Sequence, residues 1–253
     1  MHPARIAELL QPFLSNCHSE PAKAGEEPAA LPAAQLQSIS TYIDLLLHWN
    51  ARINLTAIRN EEEIVTRHFG ESLFAASHLF PRVSSAFSAP SAVKGLDVDV
   101  DVDVAEARRP TAEPRVADLG SGAGFPGVPI KLWAPKISLT LIESNQKKAT
   151  FLREIARALT LTSVNIQNVR AETLPLSTFD VVTLRAVDDM AAAIPAAIQL
   201  LNSNGWLAIL TTHEDAPAIQ AKASESAQLN WQIESQSANS SRVLLIGQRK
   251  TTI

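Results

Sequence analysis

Apolar residues recur along this chain in two rhythms. Ile6, Leu9, Leu10, Phe13 and Leu14 fall at helical spacing, and Leu36, Ile39, Ile43, Leu46 and Leu47 form a second helical stripe ending near Asn50. Asn60 followed by Glu63 resembles a capping box and opens a third helix through about Leu79. From 115 onward the rhythm changes. Short apolar runs predict strands at 115–119, 137–142, 164–167, 179–184 and 206–211, with Gly205 as the turn into the last of these. Helices fall between them around 127–134, 145–159, 188–201 and 215–227. Two final strands, 231–234 and 242–248, are separated by polar turn residues and pair antiparallel at one edge. The alternation predicts an α/β fold with a mostly parallel, Rossmann-like sheet, preceded by an N-terminal helical region.

Two stretches break the rhythm. Residues 15–33 are rich in Pro, Ala, Ser and Glu and read as a flexible segment within the N-terminal region 1–80. Residues 81–114 begin with small residues and prolines and then run Asp97-Val-Asp-Val-Asp-Val-Asp-Val104. Strict alternation suits a strand, but four like charges on one face repel. This is a low-complexity insertion, loosely ordered and without a catalytic role. A Ca²⁺ ladder lacks turn glycines and mixed oxygen ligands, so no metal site is expected. Residues 115–253 remain as the ligand-binding domain.

The densest chemical signal is Val116-Ala-Asp118-Leu-Gly120-Ser-Gly122-Ala-Gly124-Phe125-Pro-Gly127, which holds four of the nine glycines of the chain. A strand, a glycine turn and a helix N-terminus make a nucleotide-cofactor loop. Gly122-Ala-Gly124-Phe-Pro-Gly127 satisfies the dinucleotide pattern, which alone is weak. Asp118 at the strand end argues against it, because a carboxylate opposes a pyrophosphate and suits the cationic sulfonium and ammonium of S-adenosylmethionine. Glu143 ends the next strand, about 20 residues on, where an acidic side chain reaches ribose hydroxyls in either cofactor. The plainer reading of the loop is packing alone.

Composition narrows the class. The chain has 253 residues, 46% of them hydrophobic, which suffices for a sizeable core. No apolar run approaches membrane-spanning length and no signal peptide is visible, so the cytoplasm is the expected compartment. Cys17 is the only cysteine, which excludes an internal disulfide and a thiolate-rich metal site. Nothing sets the oligomeric state, and a monomer is the default.

A longer pattern joins these parts. Trp49-Asn50-Ala-Arg-Ile-Asn54-Leu-Thr56-Ala-Ile58, then Arg67-His68 and Glu71-Ser72-Leu73, then Asp118-Leu-Gly-Ser-Gly-Ala-Gly-Phe-Pro-Gly-Val-Pro-Ile130 closely resembles the RsmG family, also called glucose-inhibited division protein B. The similarity runs from about 36 to 211, interrupted by the insertion. It implies a class I methyltransferase domain and methylation of N7 of guanosine 527 in bacterial 16S ribosomal RNA, on the small ribosomal subunit. It also implies S-adenosylmethionine contacts at Gly120, Phe125, Ala171, Glu172 and Arg185, the last within Thr183-Leu184-Arg185-Ala186. With Asp118, Gly122, Gly124 and Glu143 these are the candidate cofactor residues.

The chemistry agrees with the resemblance. Guanine N7 has a free lone pair and no proton, so no catalytic base is expected and catalysis reduces to in-line positioning and exclusion of water. An Asn-Pro-Pro-aromatic segment suited to exocyclic amines is missing from the sequence. Candidate RNA contacts are Asn50, Arg52, Asn54, Arg67, His68, Lys147 and His213, with Arg59, Lys131, Lys136, Lys148, Arg153 and Arg157 as further basic positions. Each has a plainer reading: Trp49 as packing, Asn50 and Asn54 as helix-end bonding, His68 as a core histidine, Arg185 as a strand-end ion pair, Glu172 as a helix cap.

Two features pull against the RNA assignment. The net charge is −4, and the insertion holds four basic and six acidic residues, so the remainder still carries −2. RNA binding needs a basic face rather than a basic total. After the strand ending at Leu210, the family's lysine-glycine pair is replaced by Thr211-Thr212-His213-Glu214. Two alternatives therefore stand beside the methyltransferase: a cofactor-binding, ribosome-associated protein without activity, and an NAD-dependent oxidoreductase.

Overall fold

Strand β1 (Arg115–Leu119) is buried along four of its five residues, because both faces of the sheet it starts are covered. The computed structural model describes residues 1–14, 31–81, 113–236 and 240–250. Cys17, most of the 15–33 segment and most of the 81–114 insertion lie outside these residues. β1 pairs in parallel with β2 (Ser138–Ile142) and β4 (Phe179–Arg185); β3 (Val164–Gln167) extends the β2 side. On the other side β5 (Leu201–Thr212) pairs in parallel with β4. β7 (Arg242–Arg249) is antiparallel to β5, and β6 (Leu229–Ser235) is antiparallel to β7 at the edge. The order β3-β2-β1-β4-β5-β7-β6 reverses direction between β1 and β4, which opens a crevice beyond their carboxyl ends.

Side-chain parity divides the core. Leu244 and Ile246 of β7 belong to one cluster, whereas Val243 and Leu245 belong to the other. The second cluster packs α7 (Met190–Leu200) and α8 (Ala216–Ser224) on one face. The first covers the opposite face with α5 (Gly127–Trp133), α6 (Gln146–Ala158) and the N-terminal helices. Those are α1 (Pro3–Leu14), α2 (Ala33–Asn50), and a rod made of α3 (Glu61–Glu63), a π-helical turn (Ile64–Gly70) and α4 (Glu71–Leu79). The N-terminal helices thus share one hydrophobic core with the sheet.

Three local expectations are corrected. The α2 stripe centres on Tyr42, fully buried with Ile39, Ile43 and Leu46, while Leu36 and Leu47 only border the core. Gly205 lies inside a strand rather than before it: β5 starts at Leu201, opposite Phe179, and a register shift on β4 between Phe179 and Val181 absorbs the irregularity. The helix opened by Asn60, whose Oδ1 accepts from Glu63 N at 3.0 Å, widens to π geometry at Ile64. A one-residue change in helical phase leaves no trace in an apolar periodicity. It matters because Arg67 and His68 sit in that turn and Glu71 directly follows it, and such turns concentrate at functional sites.

Candidate active site

The loop after β1 bends through three left-handed glycines, Gly120, Gly122 and Gly124. The surroundings of the loop's glycines differ. A Cβ on Gly122 would meet nothing closer than the Gly120 carbonyl at 3.8 Å, so this position faces open space. Gly124 is covered by the Tyr42 hydroxyl, which donates to the Ala123 carbonyl. Gly127, at the start of α5, lies so close to Asp118 and Leu141 that a Cβ would come within 2.7–2.9 Å of both. The Phe125–Pro126 peptide is cis.

Phe125 ties the loop to the N-terminal helices. Tyr42 stacks on it with centroids 5.3 Å apart, His68 stacks at 4.7 Å, and Phe69 meets it edge-on at 5.1 Å. Tyr42 burial raises the pKa of its phenol well above the ordinary value, so it remains a donor.

Asp118 does not line the crevice. It is fully buried beneath the loop, where Oδ1 accepts from Thr183 Oγ1 at 2.9 Å and Oδ2 from Gly127 N at 3.2 Å. Burial pushes its carboxyl up to about 7. It therefore fixes the glycine turn to β4 and α5 rather than meeting a ligand's cations, and its charge no longer discriminates between cofactors.

Glu143 stands in the cavity wall. Its Oε2 accepts from Gly122 N at 2.9 Å and its Oε1 from Asn145 N at 2.7 Å. Each oxygen keeps a second lone pair for a hydroxyl. The cavity has a volume of about 370 Å³ and brings together Gly120, Gly122, Phe125, His68, Glu143 and Arg185 from the sequence-derived set. Leu55, Thr56, Ala57, Lys148, Val187 and Asp188 complete much of its wall.

At the far wall a polar ring closes over Arg185. Its Nε and Nη2 donate to Glu71 Oε2 at 3.3 and 3.0 Å, and Nη2 also donates to the Arg67 carbonyl at 2.9 Å. Nη1 donates to His68 Nδ1 at 3.1 Å, and His68 Nε2 lies 2.7 Å from Thr56 Oγ1. Burial, together with Arg185, Arg67 and Arg242, lowers the His68 pKa to about 3, so the ring is neutral. Buried Glu71 also faces Arg67 at 3.9 Å and Arg242 at 4.0 Å. One carboxylate thus answers three guanidinium groups and leaves the rim positive.

The remaining predicted residues lie elsewhere. Asn50 is buried and bonds the backbone of Leu55 and Thr56. Arg52, Asn54 and Lys147 are exposed, and Lys148 reaches the cavity in Lys147's place. Ala171 and Glu172 form a short 3-10 turn after β3 that does not line the cavity. His213 Nε2 pairs with Ser235 Oγ at 3.2 Å on the β5–α8 turn. Lys131 is no surface cation: its buried Nζ donates to the Pro135 and Ile137 carbonyls at 2.8 and 2.5 Å. Tyr42, Glu71 and Thr56 carried no role in the sequence reading. Thr56 and Glu71 lie in the Trp-Asn and Glu-Ser-Leu stretches, which do not give the direction of their side chains, and Tyr42 lies outside both. A second cavity of about 510 Å³ lies between α7 and α8, shares Ala186 and Val187 with the first, and carries Arg242, Lys222 and Asp215.

Opposed titrations give a pH prediction. Asp118 keeps a proton between about pH 4 and 7 that the unfolded chain releases, so its contribution to stability falls as pH rises through that window. His68 refuses, between about pH 3 and 6.5, a proton that the unfolded chain binds, so its contribution rises with pH. The two slopes oppose each other. Asp118→Asn removes the first, and urea unfolding from pH 4.5 to 6.5 should then show stability rising with pH more steeply than in the wild type, by up to about 1.4 kcal/mol per pH unit. Parallel curves would contradict the assigned burial of Asp118.

The sheet order, the glycine turn and the crevice at the β1/β4 switch define the class I methyltransferase fold. The ribosomal protein L11 methylase of Lactobacillus delbrueckii subsp. bulgaricus matches with a TM-score of 0.51 at 14% identity, over 73% of this chain and 79% of its own. The chain belongs to the GidB family, rRNA small subunit methyltransferase G, whose sequence profile matches residues 35–86 and 101–246. It is 36% identical over 167 residues to the ribosomal RNA small subunit methyltransferase G of Xylella fastidiosa (strain 9a5c), covering 66% of this chain and 64% of that protein. It is 32% identical over 201 residues to the protein of that name from Xanthomonas euvesicatoria pv. vesicatoria (strain 85-10), covering 78% and 80%. The match thus spans a little under two thirds of the Xylella relative's own length. Among the described residues no helix is long and apolar enough to cross a membrane.

Proposed function

We propose that this protein transfers a methyl group from S-adenosylmethionine to guanine N7 in bacterial 16S ribosomal RNA, at guanosine 527, on the small ribosomal subunit or a precursor of it. Family membership carries the reaction. The observation of the chain itself that carries the cofactor is the glycine cradle: Gly122 opens onto the cavity, and the Glu143 carboxylate clamps the same turn. A nucleoside fits this arrangement, with its ribose hydroxyls on Glu143 and bare backbone at Gly120 and Gly122. Phe125 supplies an apolar wall, and Ala171 and Glu172, which lie outside this cavity, remain candidate contacts to the adenine edge. The cofactor supplies an electrophilic methyl carbon bound to a sulfonium.

The chain's own task is placement. N7 needs no base, so the residues must hold the purine in line and keep water out. The second cavity shares the Ala186-Val187 wall with the first, which suits entry of the target base there. Arg67 and Arg242 remain partly exposed beside Glu71 and offer phosphate contacts, together with Lys148 and Lys222 near the two cavities. Arg52, Lys147 and His213, exposed outside the two cavities, are further candidate RNA contacts. A basic rim of this kind reconciles RNA binding with a net charge of −4.

Incubation with methyl-labelled S-adenosylmethionine and small subunits that lack the modification should label the RNA. Cofactor binding without transfer to subunits, naked RNA or assembly intermediates would instead favour the ribosome-associated protein without activity. Tight NAD binding in place of S-adenosylmethionine would overturn the cofactor.

A further inference from the structure

Asp215 borders the second cavity and does not do what its place in the chain suggests. It precedes α8 at the cap position, where an aspartate accepts from the first free N–H groups of a helix. Here its backbone is already helical, at φ −81° and ψ −19°, and its side chain makes no cap bond. The carboxylate turns back instead. Its Oδ2 accepts from Thr212 Oγ1 at 2.7 Å, and Thr212 Oγ1 in turn accepts from Asp215 N at 3.2 Å. Oδ1 has no partner among the described residues, and Oδ2 keeps a further lone pair. The cations of the cavity are engaged elsewhere: Lys222 Nζ with Glu225 Oε2 at 2.7 Å, and Arg242 Nε with Glu71 Oε1 at 4.0 Å. A charged acceptor with open lone pairs thus stands in a cavity walled by Met190, Ile194 and Ile219.

The sheet order places this acceptor relative to the first cavity. At the carboxyl ends of the parallel strands, β1 leads into the glycine turn, β4 into Ala186 and Val187, and β5 into Thr212 and Asp215, in that spatial order. The two cavities meet at the Ala186-Val187 wall. β5 lies about 4.8 Å beyond β4, a distance comparable to the width of a purine. A guanine in the second cavity with N7 at the shared wall therefore turns its opposite edge, N1–H and the N2 amino group, towards the β5–α8 turn. That edge offers two donors to the Asp215 carboxylate. An adenine placed the same way offers a C2–H and the N1 lone pair, which a carboxylate repels.

We propose that Asp215 is the specificity-determining residue for the target base: its carboxylate accepts from N1–H and the N2 amino group of a guanine whose N7 faces the Ala186-Val187 wall. The inference rests on the guanine-N7 reading above and deepens it. It also gives a task to a carboxylate that an RNA-binding surface would otherwise do better without, since base donors, unlike phosphates, are drawn to it. Arg242, opposite Thr212 in the β5–β7 register, and Lys222 on α8 stand on the same cavity to answer the phosphates of the same nucleotide.

The test compares guanosine with inosine, which lacks only the N2 amino group, at the target position of 16S RNA built by ligation and presented as naked RNA and in small subunits. kcat/KM for methyl transfer is measured with the full-length wild type and Asp215→Ala, and calorimetry with S-adenosylmethionine checks that the variant is folded. The wild type should prefer guanosine roughly tenfold to hundredfold, as expected for a hydrogen bond to a charged group. In Asp215→Ala, transfer to guanosine should fall by at least that factor and the preference should shrink to within about threefold. A preference set by RNA folding would persist in the variant and overturn the proposal. Equal rates on the two RNAs with the wild type, or unchanged transfer by the variant, would overturn it as well. If Asp215→Ala does not fold, the isosteric Asp215→Asn takes its place, with a narrowed preference expected and an unchanged one against the proposal. A wild type that labels neither RNA, or an atom other than N7, would sink the guanine-N7 reading itself, whereas N7 transfer without a preference loses only Asp215.

Discussion

Gly122→Asp should abolish S-adenosylmethionine binding while leaving the protein folded. The position has φ +54°, a conformation that aspartate enters at a cost of about 1–2 kcal/mol, and its Cβ direction meets only the Gly120 carbonyl at 3.8 Å. The carboxylate would project into the cavity beside Glu143, whose Oε2 already accepts from the Gly122 amide. It would fill the space proposed for the ligand and add a like charge near the ribose site. A loss of at least roughly hundredfold in affinity, about 2.7 kcal/mol, is expected by calorimetry, with a folded circular-dichroism spectrum. Retained affinity would place the ligand elsewhere.

The second large effect concerns stability. Glu71→Gln removes the one carboxylate that faces Arg67, Arg185 and Arg242. Both Glu71 and Arg185 have side chains that are nearly buried, at 6% and 11% exposure, so solvent screens the uncompensated charge of Arg185 poorly. Breaking such a pair from one side costs about 3–5 kcal/mol, since the surviving charge keeps its desolvation without its partner. The glutamine oxygen can still accept one bond, so the lower end of that range is expected from urea unfolding. Adding Arg242→Gln should recover part of the loss by relieving repulsion among the remaining cations. A loss below about 1 kcal/mol would show that the cluster is solvated and not a buried pair.

Most of the fold could be read from the chain because the sheet is simple to read. Short apolar runs mark strands buried on both faces, and the antiparallel edge follows from two strands joined by polar residues. The glycine turn and Glu143 were equally visible, since their spacing is local. What escaped depends on distance in sequence and on direction. Arg185 meets His68 across 117 residues and Glu71 across 114, and no periodicity reports such pairs. Asp118 stands at the right place in the motif, but its side chain points under the loop to Thr183 and Gly127. The π turn shifts Arg67, His68 and Glu71 in helical phase, so a regular helix would have aimed them differently. By sequence Asn50 suits either a base contact or helix-end bonding; its three bonds to Leu55 and Thr56 are of the second kind.

The Asp118 correction also changes what the cofactor assignment rests on. Charge complementarity with a sulfonium was the sequence argument, and a fully buried carboxyl pushed up to about 7 weakens it. Family membership and the open cradle at Gly122 now carry that choice. The altered Thr211-Thr212-His213-Glu214 segment lies on the β5–α8 turn, beside the second cavity and away from the glycine loop. None of its four residues lines the cavity at the glycine loop.

The most direct measurement is the position of the transferred methyl group. Small subunits lacking the modification would be incubated with the wild-type protein and methyl-labelled S-adenosylmethionine, and the RNA cleaved chemically at N7-methylguanosine. The account predicts one cleavage, at guanosine 527 of the 16S RNA, and none with Gly122→Asp. Label on another atom or another nucleotide would contradict the assigned target, and cleavage retained in Gly122→Asp would contradict the assigned site.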